Sequence, residues 1–114
     1  LGGIAFFIEV NHKIGSLSWS EAICCDTDNF DRDKARKIAQ ERFSANLITS
    51  VKYDASESLL DNILLYYSEL PNQKQITARE RTTFERLKQY IDNNNVLIEA
   101  AQEMSNSMTA QSTL

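Results

Sequence analysis

The sequence predicts an α+β domain in which an N-terminal antiparallel β-hairpin is packed by three to four α-helices. Three observations carry that expectation. Residues 4–10 alternate with period two, Ile4, Phe6, Ile8 and Val10 on one face and Ala5, Phe7 and Glu9 on the other, which is a strand pattern. Further along, apolar residues recur at helical spacing in three separate stretches. The 114 residues, 42% hydrophobic and 25% charged, have the composition of one ordinary domain, long enough to bury a core without disulfide staples.

The second strand of the hairpin is expected over residues 17–25. Leu17, Trp19, Ile23 and Cys25 share a face that Glu21 interrupts, and Ser16, Ser18, Ser20 and Ala22 oppose them. Asn11-His12-Lys13-Ile14-Gly15 joins the strands, with Asn and Gly at positions that tolerate the positive φ of a tight loop. The short polar side chains of Asp26–Asp31 bond neighbouring backbone groups and start a helix over about 31–46, where Ala35, Ile38, Ala39 and Phe43 lie inward and Asp33 precedes Lys37 by one turn.

Residues 47–53 read two ways. Leu47, Thr49, Val51 and Tyr53 alternate as a third strand, whereas Leu47, Ile48 and Val51 would prolong the helix; the strand is preferred. Asp54, with Glu57 three residues on, is expected to cap a second helix whose stripe is Leu59, Leu60, Ile63, Leu64, Tyr67 and Leu70, stopped by Pro71. Thr77-Ala78-Arg79-Glu80 is a capping box that opens a third helix with Phe84, Leu87 and Ile91 inward. Asn93, Asn94 and Asn95 are poor helix formers. They are expected to end that helix and cap a fourth, containing Val96, Leu97, Ile98, Ala100, Ala101 and Met104; in the alternative the helix runs through, with a seam of Phe84, Leu87, Ile91, Asn94, Ile98 and Ala101. Residues 105–114 are small and polar, a flexible or incomplete tail to a single domain spanning 1–114.

Twelve basic and sixteen acidic residues give a net charge of −4. The deficit is even: seven basic and nine acidic residues up to position 57, five and seven beyond it. No basic arm or stripe of the kind that holds nucleic acid stands out. Cys24 and Cys25 are adjacent, and neighbours in a regular chain do not meet disulfide geometry, so two buried thiols in a reducing, cytoplasmic setting are expected. No apolar run approaches the roughly 20 residues of a membrane span, and the first residues lack the positive start of a signal peptide.

The chemistry-bearing patterns mostly fail. Glycine occurs only at positions 2, 3 and 15, which leaves no phosphate-cradling loop and no G-x-S-x-G elbow. His12 is the single histidine, so a nucleophilic site would have to join it to Cys24 or Cys25 and an acid such as Asp26; an exposed loop histidine beside buried thiols is the simpler reading. A calcium loop begun at Asp26 would want an oxygen ligand at 30, glycine at 31 and glutamate at 37, where the chain has Phe30, Asp31 and Lys37. No cofactor or metal is therefore expected.

Arg32, Lys34, Arg36, Lys37 and Arg42 crowd the first helix, and Arg32, Arg36 and Lys37 are the candidates for contact with nucleic acid or an acidic partner. The stretch Ile76–Arg81 with Phe84 and Leu87, then Glu99–Ser105 and Gln111–Leu114, resembles the helix order of transcription regulators with a helix-turn-helix. That resemblance implies DNA binding, although residues 89–114 carry no Lys or Arg. The expectation that follows from the wide apolar stripes is a non-enzymatic regulatory or protein-interaction domain, meeting a partner or forming a homodimer through Leu59, Leu60, Ile63, Tyr66, Tyr67, Leu97 and Met104; a fragment of a DNA-binding regulator is the alternative.

Overall fold

The computed structural model describes residues 2–24, 29–92 and 96–100. In order, the elements are β1 (Gly3–Asn11), β2 (Ser16–Cys24), α1 (Arg32–Ser44), β3 (Thr49–Lys52), α2 (Leu59–Glu69), a 3₁₀ turn (Leu70–Asn72), α3 (Ala78–Asp92) and β4 (Val96–Ala100). The α+β expectation and the N-terminal hairpin hold. One four-stranded sheet in the order β3-β2-β1-β4 forms the centre, β4 lying parallel to β1 and the other neighbours antiparallel.

The two faces of β1 explain the layering. Ile4, Phe6, Ile8 and Val10 are buried in one cluster with Leu17 and Trp19 of β2, Ile63 and Tyr67 of α2, and Leu87 and Tyr90 of α3. Ala5 and Phe7, on the reverse face, are buried with Ala22 of β2 and Ala35 and Ala39 of α1. A strand that is apolar on both sides needs cover on both sides, so α1 takes one face and α2 with α3 the other. Alanines bring α1 close to the sheet: Ser20 Oγ donates to the Ala39 carbonyl at 2.5 Å. The ring of Phe30 lies against Gly3 where a Cβ would stand, so glycine is required there by close approach.

In the larger cluster Trp19 is fully buried, and its indole Nε1–H donates to the Tyr67 hydroxyl at 3.1 Å. Tyr66 meets the indole edge-on, with ring centroids 5.3 Å apart. Burial raises the Tyr67 phenol far above its ordinary value, with the Trp19 bond opposing that rise, so the hydroxyl stays protonated.

Several sequence expectations are corrected. Residues 96–100 are a strand where a fourth or continuing helix was expected. Val96 and Ile98 pack half-buried against the α2–α3 cluster and Leu97 against the α1 cluster, so this apolar run is partly covered on both faces as a parallel strand. Of the Glu99–Ser105 segment in the helix-turn-helix order, Glu99 and Ala100 sit in β4, while the remainder and Gln111–Leu114 lie outside the described residues. The Asp54 cap is also displaced. Ser58 caps α2 by accepting from the Asp61 N–H at 3.0 Å, while the Asp54 carboxylate accepts from the N–H and hydroxyl of Ser56 in a turn of its own. Residues 47–53 contribute a strand shorter than expected. Cys25, Asp26, Asn94, Ala101, Met104 and the 105–114 tail lie outside the described residues. Among the described residues no helix is long and apolar enough to cross a membrane.

Replacing Tyr67 with Phe keeps the ring but leaves the buried Trp19 N–H without an acceptor. Tyr67→Phe should therefore lower stability by about 1–3 kcal/mol, read as a shifted urea midpoint with an unchanged slope.

Candidate functional site at the open edge of β2

β2 has nine residues and β3 only four, and the two pair only from Ser16 to Trp19. Beyond Trp19 the edge of β2 faces a gap, and the conspicuous charges of the structure gather there. Glu21, the residue that breaks the apolar alternation, is only 7% exposed. Its Oε2 accepts from Arg79 Nε at 2.7 Å and from Arg42 Nη2 at 3.3 Å, and its main-chain carbonyl accepts from Arg79 Nη2 at 3.1 Å. Arg79 comes from the first turn of α3 and Arg42 from the last turn of α1. These helices lie on opposite faces of the sheet, so one carboxylate ties both layers together across its edge. Two guanidiniums and good hydrogen-bond geometry are what let a carboxyl side chain sit in so sheltered a place.

Arg79 is brought there by the capping box read from the sequence. The Glu80 N–H donates to Thr77 Oγ1 at 3.1 Å and the Thr77 N–H to Glu80 Oε1 at 2.8 Å, and Lys74 Nζ adds an ion pair at 2.9 Å. Burial alone would raise the Glu80 carboxyl, but the Thr77 N–H and the Lys74 ammonium outweigh it and hold it below the ordinary value.

On the other wall, α1 ends in a Schellman motif. The Asn46 N–H donates to the Phe43 carbonyl and the Leu47 N–H to the Arg42 carbonyl, both at 3.0 Å, while Asn46 itself has φ 64°. This left-handed step turns the chain outward, leaving Leu47 52% and Ile48 37% exposed at the rim. Between the two walls lies a cavity of about 340 Å³ lined by Glu21, Arg42, Ile48, Tyr67, Arg79 and Thr83 among others. A second, of about 390 Å³, is lined by Ala22 and Ile23 of β2 and by Lys34, Ala35 and Ile38 of α1 among others.

Tyr67 lines the first of these cavities and Cys24 the second; most other residues singled out from the sequence lie elsewhere. Ile63 and Tyr67 are fully taken up in the core, and Leu59, Leu60 and Tyr66 pack against it half-buried. The helical stripe is thus covered by the chain's own sheet, and α2 turns Leu65 to solvent instead. Leu97 packs on the α1 side of the sheet. Arg36 is engaged by Asp33 at 3.2 Å and by Glu99 of β4 at 3.4 Å, Arg32 stands over the Phe30 ring at 5.4 Å, and Lys37 is exposed. Three neighbouring cations in sequence therefore form no shared free patch. His12 sits in the hairpin loop with its ring near Tyr53, and Cys24 ends β2 at the opposite end of the sheet. Eight strand steps separate the two ends, on the order of 25 Å, so His12 and Cys24 do not pair. Among the described residues no group of three His, Cys, Asp or Glu could hold a metal ion.

Comparison with protein-family models, with curated proteins and with solved structures gives no match. The site's own geometry is what bears on function.

Two outcomes check this architecture. Asn46→Ala should destabilise the chain by roughly 1–2 kcal/mol because alanine pays a steric cost in the left-handed region, and Asn46→Gly should be neutral or stabilising, both read from denaturant midpoints. The depressed Glu80 carboxyl gives stability that is complete above about pH 4.5, its unperturbed value, and is lost as the pH falls through the lower folded value. The stability difference between the wild type and Glu80→Gln should accordingly be constant from about pH 5 to 7 and shrink below about 4.5.

Proposed function

We propose that this chain is a non-enzymatic protein-interaction domain whose contact surface is the open β2 edge with the Leu47–Ile48 rim. The observation that carries the reading is the juxtaposition at that edge of exposed aliphatic side chains, two arginines and a run of β2 beyond its last pairing with β3. Arginine beside apolar surface is the composition of energetically dominant contact residues, and a strand edge supplies backbone groups ready to pair. The apolar faces of α2 and α3 give less support to a contact surface, because their large side chains are filled against the sheet.

A photo-crosslinking residue at Leu47, compared with one at Ile14 in the hairpin loop, tests the reading in extract from the source cells. Ile14 is also an exposed aliphatic, 74% accessible, so it controls for nonspecific greasiness. Discrete protein adducts are expected from Leu47 and not from Ile14. Equal adducts from both positions, or adducts with nucleic acid alone, would contradict the assignment.

A further inference from the structure

The backbone of β2 indicates how a partner would bind, an inference that rests on the interaction reading above and names its chemistry. Odd-numbered residues of β2 turn their backbone groups toward the β3 side: the Gly15 carbonyl accepts from the Tyr53 N–H at 2.8 Å, Leu17 and Trp19 stand opposite Val51 and Thr49, and the Glu21 carbonyl accepts from Arg79. The two-residue period of a strand places the N–H and C=O of Ile23 on that side as well. Among the described residues no strand pairs with Glu21 or Ile23 there. Glu21 lines one of the two cavities and Ile23 the other. Lys34, Ile38 and Arg42, each four residues from the next, line its α1 wall, and Arg79 and Thr83 line its α3 wall.

The charges select the occupant. Each acid of the lining is already held: Asp31 accepts from the Lys34 N–H as the cap of α1, Glu21 lies between the guanidiniums, and Glu80 is bound by Thr77 and Lys74. The cations retain capacity. Lys34 has no ionic partner among the described residues, Arg42 Nε is shielded from solvent without an acceptor, and Arg79 is 47% exposed. A symmetric contact with a second copy would set these same cations against each other.

We propose that an extended, acidic segment of a partner protein adds to β2 as a further strand beside Ser20–Ile23, in line with β3. Its backbone pairs with Glu21 and Ile23, alternate carboxylates on one face reach Lys34 and Arg42 of α1 and the Arg79 guanidinium that meets Arg42 at Glu21, and the apolar side chains between them turn to the α3 side. Its N–H takes over the Glu21 carbonyl from Arg79, which frees that guanidinium for an incoming carboxylate.

Three capped hexapeptides test this by titration, with amide exchange followed residue by residue in the full chain: alternating Glu and Val, alternating Lys and Val, and an acidic peptide with Pro at the pairing positions. The Glu–Val peptide should bind saturably, weaken with added salt, and slow exchange at the Glu21 and Ile23 amides, while the other two leave those amides unchanged. Lys34→Glu, at an exposed position outside the core, should keep the fold by circular dichroism and weaken binding about tenfold; Arg79→Ala should weaken it as well. Binding of the Pro peptide as tight as that of the Glu–Val peptide would reduce the site to charge attraction and overturn strand addition. No binding by any of the three would overturn it too, leaving Arg79 as a guard of the edge. Crosslinks at Leu47 together with unaltered Glu21 and Ile23 exchange would retain the interaction domain and remove only the strand.

Discussion

The structure depends on β1 being apolar on both faces. Ile4, Phe6, Ile8 and Val10 look one way and Ala5 and Phe7 the other, all buried, so a sheet covered on a single side could not satisfy this strand. That requirement draws α1 to one face and α2 with α3 to the other. It also gives β1 two strand neighbours, β2 across the hairpin and β4 from the far end of the described chain. The wide stripe of α2 exists for this purpose, and its aromatic residues lock on to Trp19.

Central burial of β1 leaves the variable chemistry to the flanks of the sheet. β3 leaves the α1 connection only at Thr49, opposite Trp19, and runs for four residues toward Ser16, so β2 extends beyond it. A polar residue on the core face would be costly in the interior; at this edge Glu21 can be reached by Arg79 from one layer and Arg42 from the other. The same carboxylate therefore fastens two layers that share no apolar cluster, and it fixes two guanidiniums where the strand ladder stops. That tie between the two layers explains a glutamate in an otherwise apolar alternation.

How far the sequence speaks follows from how local each signal is. The β1 alternation, the Thr77–Glu80 capping box and the α1 periodicity are local patterns, and each element forms as they predict. β4 was hidden because Val96-Leu97-Ile98 is a short apolar run that fits a buried strand or a buried helix equally well; only the parallel place beside β1 decides, and that is a long-range fact. A helical stripe likewise shows that it must be covered and not by what. Ile63 and Tyr67 are covered from within. The β2 edge was the least legible feature. It depends on β3 ending before β2 does, on the left-handed turn at Asn46 and on Arg42 and Arg79 converging from residues 37 apart in sequence. The interruption at Glu21 was the one visible trace.

Residue-resolved hydrogen exchange of the free chain reaches the central claim, a β2 edge with no strand partner beyond Trp19, most directly. Ser20 and Ala22 face β1 and Leu17 and Trp19 face β3, so their amides should exchange slowly, through opening of the folded sheet. The Glu21 and Ile23 amides, turned to the gap, should exchange orders of magnitude faster than these neighbours. Protection at Glu21 and Ile23 equal to that at Trp19 would mean the edge is already filled, and would contradict the account.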